Sequence, residues 1–435
     1  MLDDFYSSVL SGYLKNAINN SAYYHYRLRL LANCCTYGEY KHGIQIISNG
    51  TATRILGVRP CKHSWACPEC TAREMSNYSK RIAAGIDALY KKDLVPFMMT
   101  LTVFHTIQQD CETSYNILRK AWELMDKQKT WRRKKKDGSY YVNAGAWSQF
   151  YNEFNCKHTV KTLEITYGKH GWHPHIHMLV WVHKSKLQEV AKWEPKLQKL
   201  WEQCEDRAAK QIIGSQTNEY QIRKFLISKP TRDDYEHQGL YISKENNGKI
   251  KAWSSAFYLC GWGGNNELTG LNLKQAHGTN MTPFQMLERS YDLRYKNPIE
   301  SQRLLEKYMY FAWVVIKNRI SRVAFSRTGL KTIIDNWLQS EEFKLILKKN
   351  IENQKINPYH NVAWFNVKQW REICFSNDYM HLPLIPLIRA FAKYEDGYNL
   401  ICELMIVNGL DPPIAKQHPT IDWAKAFNEK AQLVA

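Results

Sequence analysis

No stretch of this chain is apolar for long enough to cross a membrane. Tyr310–Ile316, among the longest such runs, is far short of the ~20 residues a spanning helix needs. No polybasic segment abuts an apolar run, which argues against anchoring at a lipid surface. The opening residues Met1-Leu2-Asp3-Asp4-Phe5 are acidic and lack the apolar core of a secretory signal, so a cytoplasmic location is expected. Internal repeats and low-complexity segments are absent, which excludes solenoid architectures. Neither a G-x-S-x-G elbow nor a P-loop occurs, so the chemistries built on those motifs are not indicated. Acidic residues are scarce: 41 Asp and Glu face 60 Lys and Arg, a formal charge of +19. That excess favours a polyanionic partner, nucleic acid before membrane. Eleven cysteines cannot all pair, and five stand singly in the later two-thirds of the chain, so reduced thiols are expected rather than a disulfide framework.

What is present is a globular chain of 435 residues, 44% hydrophobic and 13% aromatic, long enough for two or three domains. Its most informative stretch is His173-Pro174-His175-Ile176-His177-Met178-Leu179-Val180-Trp181-Val182. Side chains alternate along a strand, so His175 and His177 share one face while Ile176, Met178 and Val180 face a core. Two imidazoles on one face can share a divalent metal. Upstream, Val160–Thr166 also reads as a strand, and Tyr167-Gly168-Lys169-His170-Gly171-Trp172 has the glycines of a hairpin turn. Pairing Glu164 opposite His177 puts Glu164, His175 and His177 on one face, a His-His-carboxylate metal site. His173 is expected to support the ligands from behind or to be structural, because Pro174 interrupts the alternation.

A second ligand set lies earlier. Cys67-Pro68-Glu69-Cys70 has the C-x-x-C spacing of a zinc knuckle, in which two thiolates from one turn grip one ion. Cys61 supplies a third ligand, and Cys34 or Cys35 a fourth, with His63 in competition for that place. No βαβ pattern flanks the pair, which argues against a redox role.

Between these sets the periodicity predicts a helix over Thr71–Lys91 with Met75, Tyr78, Ile82, Ile86 and Leu89 on one stripe. A strand follows over Phe97–Val103, then a helix over Glu112–Lys129 with a stripe of Tyr115, Leu118, Trp122 and Met125. Arg132, Arg133, Lys134, Lys135 and Lys136 form a charge run ending in a turn at Asp137-Gly138, a solvated loop able to contact phosphates. After the hairpin comes an amphipathic segment (Val190, Trp193, Leu197, Leu200, Trp201) that Pro195 kinks or splits. The element order predicts an α+β fold, an antiparallel sheet with flanking helices. Three regions are expected: 1–95 with the cysteine module, 96–275 with the metal site, and 276–435, mainly helical.

Metal-assisted phosphodiester chemistry also needs a nucleophile. Ala252–Gly264 reads as a short helix, with Ser254 as N-cap, the glycines marking its end, and Tyr258 in the middle. Tyrosine can act as a covalent nucleophile when a cation lowers the cost of the phenolate. The chain resembles the rolling-circle replication initiators of small plasmids and phages, within the HUH endonuclease superfamily. Phe97-Met98-Met99-Thr100-Leu101-Thr102 resembles the family's first motif, a structural strand. Gly171–Leu179, preceded by Leu163-Glu164-Ile165-Thr166, closely matches the second, metal-binding motif. Tyr258 with Gly261-Trp262-Gly263 and Glu267-Leu268-Thr269 resembles the third. Thr282-Pro283-Phe284-Gln285 and, more loosely, Phe325–Lys331 extend the likeness, which covers about residues 30 to 331.

The resemblance implies an HUH-type fold and a site-specific nicking and joining enzyme acting on single-stranded or extruded DNA. Tyr258 would be the nucleophile, and Glu164, His175 and His177 would hold Mg²⁺ or Mn²⁺. Cys34, Cys61, Cys67 and Cys70 fall where these proteins carry a zinc set. A host replication helicase and polymerase are the implied partners. One departure stands out: the family has lysine three residues after its tyrosine, whereas this chain has Gly261. Lys244 or Lys251 could supply that charge. Tyr241-Ile242-Ser243-Lys244 keeps the Y-x-x-K spacing, so Tyr241 is the rival nucleophile. A transposase or mobilisation relaxase would share the chemistry, and a DNA-binding regulator without catalysis would share only the fold.

Overall fold

A computed structural model describes residues 28–36, 42–127, 131–134, 136–143, 145–214, 225–228, 280–321, 323–326, 329–345, 358–376 and 384–434, with a few positions between 10 and 18. Its strands are β1 (Ile44–Ser48), β2 (Thr53–Leu56), β3 (Leu94–Thr102), β4 (Trp131–Lys134), β5 (Tyr140–Asn143), β6 (Thr159–Gly168), β7 (Gly171–His183), β8 (Phe225–Ser228), β9 (Val323–Phe325) and β10 (His360–Phe365). The chain forms two compact units. One comprises residues 77–285 and 321–340, the other 1–76, 286–320 and 341–435. Mixed helices and antiparallel sheets make this an α+β protein. No helix among the described residues is long and apolar enough to cross a membrane.

The first unit is built on a five-stranded sheet of order β8-β3-β7-β6-β9. The hairpin β6–β7 is its longest local element, closing through Lys169 and His170 with Gly168 paired to Gly171. Gly171 has a φ of +94°, and a Cβ there would come within 2.5 Å of the Thr106 carbonyl, so only glycine fits the turn. Pro174 is tolerated because β3 ends opposite His175, leaving Pro174 beyond the β3–β7 ladder.

Both faces of the sheet are covered at one end. Met98, Leu179, Val160 and Trp181 pack against Ile82, Ile86 and Leu89 of the helix Pro68–Tyr90 and against Leu330 and Ile334 of the helix Leu330–Gln339. On the opposite face, Phe97 meets Phe150 edge-on, and the helix Cys111–Lys127 packs on β7. That double cover explains why Val95–Met99 are all buried rather than alternating. Further along β3, Thr100 and Thr102 are less buried while Leu101 stays covered, so alternation returns.

The local predictions are met with small shifts in their ends. The helices lie at Pro68–Tyr90 and Cys111–Lys127. Pro195 splits its segment into a 3₁₀ turn, Lys184–Trp193, and a helix, Glu194–Ile213, with proline in the first turn where it costs no hydrogen bond. The basic run is not a loop. Trp131–Lys134 forms β4, paired antiparallel with β5 around an exposed turn.

In the other unit, β10, β1 and β2 form an antiparallel sheet. Strand β10 interrupts a region expected to be mainly helical, and the helices Val367–Phe375, Leu384–Phe391, Gly397–Val407 and Trp423–Val434 follow it. Gln45 is fully buried on β1, and its amide donates to the carbonyls of Ala363 and Lys416 while its oxygen accepts from the His418 N–H. These bonds hold β10 and the 411–418 segment against β1.

Candidate functional site

In the five-stranded sheet the central face carries three rows across β3, β7 and β6. Met98, Leu179 and Val160 form the first; Thr100, His177 and Thr162 the second; Thr102, His175 and Glu164 the third. Glu164 therefore lies opposite His175, two residues from the pairing with His177 that the sequence suggested. A two-residue slip preserves the face, so the triad assembles all the same. The Glu164 Oε2 atom is 2.5 Å from His175 Nε2 and 3.2 Å from His177 Nε2. All three ligand atoms lie within 4.8 Å of one another. Each residue is at most 9% exposed.

The remaining ring nitrogens are engaged elsewhere. His177 Nδ1 is 3.0 Å from the Thr100 hydroxyl, and His175 Nδ1 is 3.4 Å from the His173 carbonyl. An Nδ1–H that donates leaves Nε2 as the lone pair turned towards Glu164. Two nitrogen lone pairs and a carboxylate facing one point repel unless a proton or a cation lies between them. Burial works against the charge of Glu164, yet the facing imidazoles, His175 foremost, hold its pKa well below the usual carboxylate range. The Thr162 hydroxyl, beside His177 and almost fully buried, has no hydrogen-bond partner among the described residues. Such a donor set, nitrogen and oxygen in a polar pocket, fits a divalent cation.

At His173 the alternation is not broken as expected. Strand β7 runs unbroken through Pro174, so His173 keeps the alternation and pairs with Thr166 on the triad's face. Its ring centroid is 5.0 Å from that of His175. It also stacks on His105 at 4.5 Å and 15°. Burial first, then the neighbouring His175 and His105, lowers the His173 pKa to about 3, so this imidazole stays neutral. Sequence reading missed both His105 and the contact made by Thr100. Neither carries a local signal, since each reaches the site through the pairing of β3 with β7. The end of β3 is clamped by the helix Glu194–Ile213: the Trp201 indole donates to the Thr102 carbonyl at 2.7 Å, and the Glu205 carboxylate accepts from the Phe104 N–H.

The second ligand set lies in the other unit. Cys34 follows a short turn of helix, Cys61 follows β2, and Cys67 and Cys70 open the helix Pro68–Tyr90. Their sulfurs lie within 4.8 Å of one another, with Cys34–Cys70 at 3.6 Å and Cys61–Cys70 at 3.5 Å. A disulfide would need about 2.05 Å. A tetrahedron with metal–sulfur bonds of ~2.3 Å has edges of ~3.8 Å, so four thiolates here could hold a structural ion such as zinc. The Cys61 N–H also points at Cys34 Sγ, 3.4 Å away. Hydrogen bonds from Cys35 and then from Cys61, Cys67 and Cys70 push the Cys34 thiol far below its ordinary pKa, while the bond with Cys34 holds Cys67 well above.

Neither competitor joins the four. Cys35, in a left-handed conformation with φ of 59°, offers its carbonyl to the Trp370 indole at 2.8 Å. His63 serves through its backbone, accepting from the N–H groups of Ala66 and Cys67. Within the C-x-x-C turn, Glu69 forms an ion pair with Arg389 at 2.9 Å, both side chains being nearly buried.

Other expected residues are less defined. Tyr258, Tyr241, Gly261, Lys244, Lys251 and Lys135 lie outside the described residues. The backbone of Arg132, Arg133 and Lys134 is placed in β4, and Lys136 is exposed in the following turn.

The geometry defines a class: a protein with a buried His-His-carboxylate cluster on the central strands of an antiparallel sheet, and a four-cysteine cluster in a separate unit. Over 278 residues the chain is 25% identical to a protein of Streptomyces lividans named "Protein rep", a match covering 58% of this chain and 58% of that protein. The chain thus spans a little over half that relative's length. No protein-family model and no solved structure matches it.

Proposed function

We propose that this protein is a replication initiator that nicks and rejoins DNA at a specific site, using a tyrosine nucleophile and a divalent metal to start rolling-circle replication. The observation carrying this reading is the convergence of Glu164, His175 and His177 on one point of a buried sheet face. The likeness to a protein named "Protein rep" and the +19 charge support DNA as the substrate.

Glu164 Oε2 and the Nε2 atoms of His175 and His177 would hold Mg²⁺ or Mn²⁺. When bound, the ion polarises the scissile phosphate and supports the charge that builds on its oxygens. Thr100 fixes the ring of His177, and the covered sheet beneath keeps the ligands rigid. Tyr258 supplies the phenol oxygen. Its bond to phosphorus forms as the bond to the 3′ oxygen breaks, and the proton lost by the phenol ends on the leaving oxygen to give a 3′ hydroxyl. The 5′ phosphate stays on the tyrosine, so reversal of the step rejoins a strand without ATP. That 3′ hydroxyl is the primer a host polymerase extends, after a host helicase opens the duplex.

The test uses a single-stranded oligonucleotide carrying the nick site, labelled downstream, with Mn²⁺. Labelled DNA should migrate with the protein through denaturing electrophoresis, and peptide mapping should place the adduct on Tyr258. Tyr258→Phe removes only the hydroxyl and should abolish the adduct. An adduct on Tyr241 transfers the role to that residue. Specific DNA binding without an adduct on either tyrosine refutes the enzyme and favours a regulator.

A further inference from the structure

The basic run forms a two-stranded ribbon. Strands β4 and β5 pair only with each other among the described residues, with Trp131 opposite Asn143, Arg132 opposite Val142, Arg133 opposite Tyr141 and Lys134 opposite Tyr140. The turn Lys136–Ser139 is exposed throughout, and Asp137 closes it by accepting from the Ser139 N–H and hydroxyl at 2.9 and 2.6 Å. Residues 131–143 contain five basic side chains and one acidic, a net +4. Lys136 is exposed in the turn at the tip of the ribbon.

We propose that this ribbon contacts duplex DNA by entering a groove, and so holds the double-stranded region next to the nicked strand. The proposal rests on the reading of the protein as a DNA-nicking enzyme. A two-stranded ribbon fits the major groove, which is ~12 Å wide. Four residues per strand extend ~13 Å, enough to cross from one wall towards the other. The net positive charge of the segment matches a groove, whose two walls are rows of phosphates. The ribbon is also separate from the sheet that carries Glu164, His175 and His177, although it branches from the same unit. Duplex contact can therefore change without altering the metal ligands.

The experiment compares the full chain with the variant Arg132→Thr, Arg133→Thr, Lys134→Thr, Lys136→Thr; threonine keeps strand propensity. Fluorescence anisotropy measures binding to a 30-base-pair random-sequence duplex and to one of its strands alone, between 50 and 200 mM salt. Each lost phosphate contact reduces the duplex salt slope by ~0.9, so a reduction of about 3 and an affinity loss of at least tenfold are expected. Binding to the single strand should change by less than about twofold, and adduct formation on a single-stranded oligonucleotide should persist. Equal losses on both probes, or an unchanged duplex slope, overturn the proposal. A wild-type chain that forms the tyrosine adduct while the variant binds duplex normally overturns the ribbon's role and leaves the nicking function standing. A wild-type chain that binds neither probe overturns both.

Discussion

Replacing Thr100 by valine isolates one contact of the candidate metal centre. The side chains have nearly the same shape, so the change removes a hydroxyl and little else. In the structure that hydroxyl is 3.0 Å from His177 Nδ1, within a face where His177 is only 6% exposed. For Nε2 to ligate a metal, Nδ1 must carry the proton and donate it to Thr100 Oγ1. Valine leaves that N–H buried without its acceptor, a penalty of about 1–3 kcal/mol. The ring is then free to rotate or to change tautomer. Expressed as metal affinity, the loss should be roughly 10- to 100-fold. Titration calorimetry with Mn²⁺ reads it directly. Thr100→Ser restores the oxygen and should recover affinity to within about threefold, which a purely steric role for the methyl would not do. Wild-type affinity in the valine variant, or no rescue by serine, would refute the argument.

Three further outcomes are expected. Freshly purified, reduced protein should contain about one zinc per chain, released by thiol-modifying reagents, and Cys67→Ala should lose it; metal analysis finding none refutes the tetrathiolate reading. Arg389→Met removes the Arg389–Glu69 ion pair, in which both side chains are nearly buried. It should cost about 3–5 kcal/mol in urea denaturation, with Glu69→Gln partly restoring the loss. His173 has its pKa lowered to about 3 by burial and by its imidazole neighbours, so the unfolded chain takes up a proton there before the folded chain does. Metal-free protein should therefore lose stability as pH falls from ~6.5 towards 3, by at most ~1.4 kcal/mol per unit from this group. His173→Asn should flatten that limb, and identical urea midpoints for both proteins at pH 7 and at pH 4.5 would contradict it.

Local pattern by itself determined which residues could form the metal triad. Glu164, His175 and His177 belong to one hairpin with a two-residue turn, and the parity of their positions decides the face whatever the exact register. For that reason a pairing displaced by two residues still brings the same three side chains together. The C-x-x-C turn was equally legible, being a four-residue motif at the start of a helix. Tertiary structure chose Cys34 over Cys35: the two sulfurs lie 3.7 Å apart, but only that of Cys34 also converges with Cys61, Cys67 and Cys70. It also brought Thr100 against His177 and His105 against His173, contacts distant along the chain that no local pattern announces because β3 contributes no metal ligand. Strands β9 and β10 escaped sequence reading for a related reason. At three and six residues they are too short to show a period, and they exist because β6 and β1 present unpaired edges to them. The charge run hid β4 in the opposite way: five consecutive basic residues conceal the alternation, and only the partner strand gives the segment its shape. Chemistry carried by neighbours in one hairpin or one turn can be read from order alone; contacts that depend on long-range strand pairing require the folded sheet.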